Sequence, residues 1–168
     1  SVARSKDLGF DANSAIGLAV TACDDSAAGD ITGGLSRIQN DLFDLGADIA
    51  TPGTDFTPSE MELRIVASQT AWLESEIDRL NEALEPLTSF ILPGGATAAG
   101  HLHLARAIAR RAERSMVAAH HAHGINPEAM RYINRLSDYL FTAARAANVA
   151  SAEGTGTGDV LWKPGATR

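Results

Sequence analysis

Arg110, Arg111, Glu113 and Arg114 crowd into one short run of the chain, Arg110-Arg111-Ala112-Glu113-Arg114. If that run is helical, Arg106, Arg110, Glu113 and Arg114 fall at i, i+4, i+7 and i+8 and share a face. Guanidiniums converging there repel one another unless an anion sits among them. A triphosphate suits them, because the planar fork of arginine matches phosphate oxygens. Glu113 would orient an arginine, or hold a ribose hydroxyl or a metal. From spacing alone, a solvated face laced with helical ion pairs is an equally good reading. Downstream, Asn134 and Asp138 stand at i, i+4 beside the apolar stripe of Ile133, Leu136 and Leu140. Taken alone, that pair is better read as a satisfied helix-to-helix hydrogen bond than as a ligand contact.

Other reactive types carry less. His101 and His103 are two apart, on nearly opposite faces of a helix, and cannot chelate one metal. His120, His121 and His123 lie at a helix end, where cations suit the dipole. A structural or surface role fits all five histidines. No Glu-x-x-His pair of the kind a di-iron bundle needs is present. Cys23 reads as a small buried hydrophobe.

The elements that must position these residues are helical. Five patterns are visible, and no convincing strand. The first runs from about Asp11 to Ala22 and is broken by Asp24-Asp25-Ser26 and Gly29. The second, about Thr32 to Ile49, carries Leu35, Ile38, Leu42, Leu45 and Ile49 at helical spacing and stops at Thr51-Pro52-Gly53. Ser59 with Glu62 predicts a capping box opening a third helix that ends near Leu84. Pro86 and Pro93-Gly94-Gly95 bracket a short extended piece, Thr88 to Leu92. The fourth helix, Ala98 to Ala122, is alanine-rich and ends at Gly124. Pro127 opens the fifth, which runs to about Ala150. Gly154-Thr155-Gly156-Thr157-Gly158 reads as a linker. Beyond it, the apolar tail Val160-Leu161-Trp162 has the character of a docking segment. Short connections between long amphipathic helices imply an up-and-down bundle.

Bulk properties bound the possibilities. The chain of 168 residues is long enough for one domain with a real core, and 45% hydrophobic and 21% charged residues are an ordinary globular balance. A net charge of −7 argues against nucleic acid as a general partner. The single cysteine excludes an internal disulfide and suits a reducing compartment. No apolar run reaches membrane-spanning length.

Three segments taken in order resemble the PduO-type ATP:cob(I)alamin adenosyltransferases: Ser89-Phe90-Ile91-Leu92-Pro93-Gly94-Gly95, Arg106 to Arg114, and Asn134 to Phe141. Asn13-Ser14-Ala15-Ile16-Gly17 and Gln39 to Asp48 match more weakly. The resemblance implies an all-α fold: a five-helix up-and-down bundle, four helices forming the core with one added. It implies one adenosyltransferase domain over residues 1–168, with a docking tail at 159–168. The implied reaction moves the 5′-deoxyadenosyl group of ATP to cob(I)alamin, releases triphosphate and uses Mg²⁺. Arg110, Arg111, Glu113 and Arg114 would bind ATP with Asn134 and Lys6, Arg110 also serving catalysis. Phe90 would pack against the lower face of the corrin, with Leu92, Asp138 and Trp162 near the cobalamin. Arg106 would bridge subunits by an ion pair with Asp11. A homotrimer with sites between subunits, a cytoplasmic location and handover of product to a mutase or dehydratase are further implications.

Two departures stand out. The family's opening T-x-T-G-D-x-G-x-T segment is absent, and the expectation is that the natural protein carries it ahead of Ser1. The acidic pair that opens the family's first helix is reduced to Asp11. A non-catalytic cobalamin carrier or sensor on the same bundle is the alternative, and a structural helical adaptor is a third class.

Overall fold

The computed structural model describes residues 1–23, 29–154 and 158–167. Five helices follow in order: α1 (Val2–Ala22), α2 (Gly29–Ala50), α3 (Ala67–Asn81), α4 (Thr97–His123) and α5 (Pro127–Gly154). Contacts between them fix their directions. Ser5 meets Ser115 and Asp11 meets Arg111, so α1 and α4 are antiparallel. Asn13 bonds Gln39 while Lys6 lies against Gly46, so α1 and α2 are antiparallel too. The pairs Glu113–Asn134 and His103–Phe141 give the same relation for α4 and α5. α1 packs on α2 and α4, α4 on α5, and α5 on α2 and α3. The result is a four-helix core of α1, α2, α4 and α5, with α3 laid on α5 as the fifth helix.

The core follows the apolar stripes. Leu35, Ile38, Leu42, Leu45 and Ile49 of α2 are all buried. They face Leu102, Ala105, Ala109, Ala112 and Met116 of α4 and Tyr132, Leu136, Tyr139 and Leu140 of α5 across one continuous cluster. Alanines on α4 and α5 keep the helices close. Gly124 ends α4 with a φ of 72°, and a Cβ there would collide with the Gly53 carbonyl. Only glycine permits that close approach of the two connecting loops.

Three element boundaries differ from the sequence pattern. α1 begins at Val2, not Asp11, because Ser5, Leu8 and Ala12 continue its buried stripe upstream. α5 runs to Gly154, so the expected linker starts as the end of a helix; Thr155, Gly156 and Thr157 lie outside the described residues, as does the Asp24-Asp25-Ser26 break. The largest difference is α3, which begins at Ala67 rather than at Ser59 and ends at Asn81. Ser59 does accept from the backbone of Met61 (3.3 Å) and Glu62 (3.2 Å). The chain then stays extended because Asp48 captures it. Asp48 accepts from Arg64 Nη1 (2.9 Å) and, at its other oxygen, from Ile65 N–H (2.8 Å) and Asn126 Nδ2 (2.7 Å). The helix opens only at Val66, whose N–H donates to the Gln69 side chain (3.0 Å).

The short extended piece and the tail meet each other. Leu92 N–H donates to Val160 O (2.7 Å) and Trp162 N–H to Phe90 O (2.8 Å), around an antiparallel bridge between Ile91 and Leu161. This is the only bridge of β type among the described residues. It lies at the end of the bundle where α4 starts and α5 finishes.

Candidate functional site

The helical wheel of α4 divides the arginine run between two neighbours. Arg110 and Glu113 turn toward α5, and Arg111 and Arg114 toward α1. The single face drawn through Arg106, Arg110, Glu113 and Arg114 is therefore two.

On the α5 side, Arg110 Nη1 is ion-paired with Glu113. The other Glu113 oxygen accepts from Asn134 Nδ2 at 2.8 Å, linking the two helices. Asn134 in turn accepts from Arg135 (3.3 Å), and Arg135 stands 3.5 Å from Asp138. The Glu113 side chain is 15% exposed, whereas that of Arg110 is 45% exposed. A carboxylate held at one end by an asparagine can aim a guanidinium outward, toward a ligand in solvent. Residues from two separate sequence segments thus form one network. One turn earlier on α4, Arg106 lies over the Phe141 ring at 5.1 Å, a cation–π contact.

On the α1 side, Arg111 and Arg114 line a cleft of about 390 Å³ with Ser1, Arg4, Ser115 and Ala118. Arg4 was not among the expected site residues. It arrives because α1 extends upstream, so the first turn of α1 faces α4. Lys6 lies elsewhere: its aliphatic chain rests near Gly46 and Phe10 on the α2 side. Within this protomer Arg4, not Lys6, joins the arginines. Asp11 lies 3.8 Å from Arg111, both side chains more than half exposed; Arg106 is not its neighbour in the same protomer.

The Phe90 ring is 77% exposed, and Leu92 and Trp162 are also exposed. Phe90 and Trp162 meet edge to face at 5.8 Å. The loop thus presents aromatic surface to solvent although its backbone is tied to the tail. Leu92, Leu161, Trp162 and Lys163 border an adjoining hollow of about 380 Å³. Asp138 is exposed on α5, between this end and the Asn134 network.

His103 and His120 take structural positions, while His121 and His123 lie exposed at the end of α4. His120 Nδ1 accepts from Ile125 N–H at 3.0 Å and closes the α4–α5 turn. His103 is buried against Phe141. Burial, then the nearby Arg106 charge, pull its pKa below the ordinary value. Cys23 caps α1 and is half-buried rather than buried.

Comparison with known proteins points one way. The family model described as cobalamin adenosyltransferase matches residues 11–147. The corrinoid adenosyltransferase of Mycobacterium tuberculosis is 45% identical over 160 residues, 94% of this chain and 78% of that protein. The corrinoid adenosyltransferase of Bacillus subtilis is 40% identical over 152 residues, 90% of this chain and 74% of its own. Among solved structures, a variant PduO-type ATP:corrinoid adenosyltransferase from Lactobacillus reuteri complexed with cobalamin and ATP superposes with a TM-score of 0.82 at 36% identity, covering 95% of this chain and 84% of that one. A second variant of the same enzyme, complexed with ATP, gives a TM-score of 0.84 at 34% identity, covering 96% and 87%.

Proposed function

Because the chain belongs to the cobalamin adenosyltransferase family, we propose that it transfers the 5′-deoxyadenosyl group of ATP to the cobalt of cob(I)alamin. ATP and a corrinoid are its substrates. In the transfer the cobalt electron pair attacks C5′ of ATP and a cobalt–carbon bond forms. The C5′–O5′ bond breaks, its electron pair leaves with triphosphate, and the metal goes from Co(I) to Co(III).

The observation that carries the reading is the Arg110–Glu113–Asn134 junction across α4 and α5. It fixes the direction of an exposed guanidinium in a protein of net negative charge. Glu113 aims Arg110, and Arg111, Arg114 and Arg4 supply further guanidiniums on the α1 side. Charge developing on the leaving triphosphate is stabilised by donors already in place. Mg²⁺ keeps most of its waters and binds through phosphates with one or two carboxylates. Both Glu113 oxygens are engaged by Arg110 and Asn134, so the ion would arrive with the triphosphate and its waters and would neutralise part of the leaving charge.

Phe90 supplies the other half. Cob(II)alamin is hard to reduce while a lower axial ligand holds the cobalt. An exposed aromatic ring on a braced loop is suited to press on that corrin face and exclude both water and the nucleotide-tail base. Leu92 and Trp162 would extend the apolar surface, with Asp138 at its polar border. The cofactor carries the hard chemistry, while the protein orients C5′ and keeps the site dry.

Lys6 stays a candidate ATP contact from a neighbouring subunit, as does an Arg106–Asp11 pair formed between protomers. Both belong to a homotrimer with sites between subunits, the assembly that this reading requires. No described helix is long and apolar enough to cross a membrane. The cytoplasm and handover to an adenosylcobalamin-dependent mutase or dehydratase complete the proposal.

The test is direct. Full-length protein with ATP, Mg²⁺ and chemically reduced cobalamin is expected to form adenosylcobalamin. No product above the uncatalysed control, with a cobalamin absorbance change on mixing, would leave a carrier; no absorbance change at all would leave a structural adaptor.

A further inference from the structure

The Phe90 ring is exposed, yet the segment that carries it is fastened by buried polar groups of α5. Arg145 Nη2 donates to Glu85 O at 2.7 Å, where the segment leaves α3. Asn148 holds its other end: Nδ2 donates to Gly94 O (3.1 Å), and Oδ1 accepts from Ala96 N–H (2.8 Å). Gly95 has a φ of 101°, and a Cβ there would collide with the Asn148 amide. Glycine is what lets that amide in.

Asp159, at the root of the tail, joins both anchors. Its Oδ2 accepts from Arg145 Nε at 2.9 Å and its Oδ1 from Asn148 Nδ2 at 3.3 Å. The tail then pairs with the loop through Phe90, Leu92 and the Ser89 hydroxyl, which donates to Trp162 O at 2.9 Å. The Arg145 and Asp159 side chains are only 11% and 10% exposed. Taking an ion pair out of water gains little stability over an apolar substitute. What the pair does supply is fixed geometry for a loop whose own side chain has no core to hold it.

We propose that Arg145 and Asn148, acting through Asp159, are positioning residues that set the height and tilt of the Phe90–Trp162 aromatic edge against the corrin. The proposal rests on the reading of Phe90 as the residue facing the corrin. When the clamp is released, the tail separates and the ring no longer presses on one axial position. ATP contacts, on the Arg110 level of α4, are untouched.

Asp159→Ala in the full-length protein tests this, with Asp159→Glu as the conservative restoration and Phe90→Ala as the control. In Asp159→Ala both hydrogen bonds to the carboxylate are lost, the aromatic edge is no longer held, and the KM for cobalamin is expected to rise about tenfold. The absorbance band of four-coordinate cob(II)alamin should fade. The KM for ATP should stay within about twofold, while the melting temperature falls because Arg145 loses its carboxylate partner. Asp159→Glu should recover part of both the band and the cobalamin KM. If Phe90→Ala abolishes the band while Asp159→Ala keeps wild-type band and KM, the clamp is wrong and the corrin face stands. If Phe90→Ala itself keeps band and turnover, the corrin-face reading fails. Equal losses in ATP KM and cobalamin KM for Asp159→Ala would reduce the cluster to a structural one and overturn the proposal.

Discussion

Arg110 owes its aim to Glu113, and Glu113 to Asn134, so removing the guanidinium should be felt by ATP and not by the fold. Charge-assisted hydrogen bonds are worth about 1.5–3 kcal/mol each. Arg110→Ala is therefore expected to lower kcat/KM for ATP by roughly tenfold to a hundredfold. Its circular dichroism should match wild type, since alanine is the better helix former. Wild-type kinetics would return Arg110 to a solvated face. Phe90→Ala makes the opposite contrast to a core residue. A buried ring would cost about 3–5 kcal/mol, but one that is 77% exposed should cost little stability and much turnover, most of all from cob(II)alamin. Spacing drew attention to Arg110 and Glu113 and left Asn134 as a helix-to-helix hydrogen bond, which is the bond it makes to Glu113; only the resemblance gave the three a ligand role. Spacing did not reveal that Arg111 and Arg114 face α1, because periodicity defines a helix face but not the neighbour it meets. Arg4 was illegible for the same reason: only the position of the α1 start brings it to the cleft. His103 adds a pH dependence. Its folded pKa lies below the ordinary 6.5 because burial and Arg106 disfavour its charged form. The unfolded chain then binds the proton more readily. This contribution is flat above the unfolded pKa, and stability falls as pH drops through it toward the folded value. Urea denaturation at about pH 7.5 and about pH 5.5 should show a steeper loss in wild type than in His103→Leu.

At the scale of elements, one buried carboxylate outweighs a good local signal. Ser59 and Glu62 form a valid turn, yet no helix grows from it. Asp48 at the end of α2 takes the Arg64 guanidinium and the Ile65 amide, and holds Asn126 at the start of α5. Ile65, which falls inside the helix that the capping box predicts, is buried in an extended segment instead. Local propensity is a weak prior, and a contact sixteen residues back in sequence overrides it. The long helices α2, α4 and α5 were readable because their stripes repeat over many turns. The docking of the tail was readable as apolar character but not as a destination. Asp48 is thus the hub of one end of the bundle. Its removal leaves Arg64, with a side chain 3% exposed, only the half-exposed Glu62 carboxylate at 3.1 Å. Breaking one partner of a buried pair costs about 3–5 kcal/mol, so Asp48→Ala should lose that much in urea denaturation. A loss below about 1 kcal/mol would make the cluster no stronger than a surface pair.

At the scale of the molecule, large apolar side chains stand exposed on α1 and α4. Leu18 on α1 is 51% exposed, and Leu104 and Val117 on α4 are 51% and 42% exposed. Leu104, Ala107, Arg111, Arg114 and Ala118 fall on one exposed line of α4, so the small side chains leave the arginines open to close approach. An exposed leucine beside arginines on adjoining helices is the make-up of a partner-facing surface. A closed cyclic assembly of identical chains would bury that surface and bring a neighbour's residues to the arginines. The cleft in one protomer is an open shelf, and a reaction that must exclude water needs a second wall. Light scattering of the full-length protein is therefore expected to give a trimer. Leu104→Glu would place a carboxylate in the contact, where desolvation opposes it. It should shift the protein to monomer, leave helix content unchanged because the side chain is exposed in the protomer, and lower adenosyltransferase activity in step with the trimer lost. A monodisperse wild-type monomer that is fully active at assay concentration would show that one protomer closes its own site, and the shared-site assembly would be wrong.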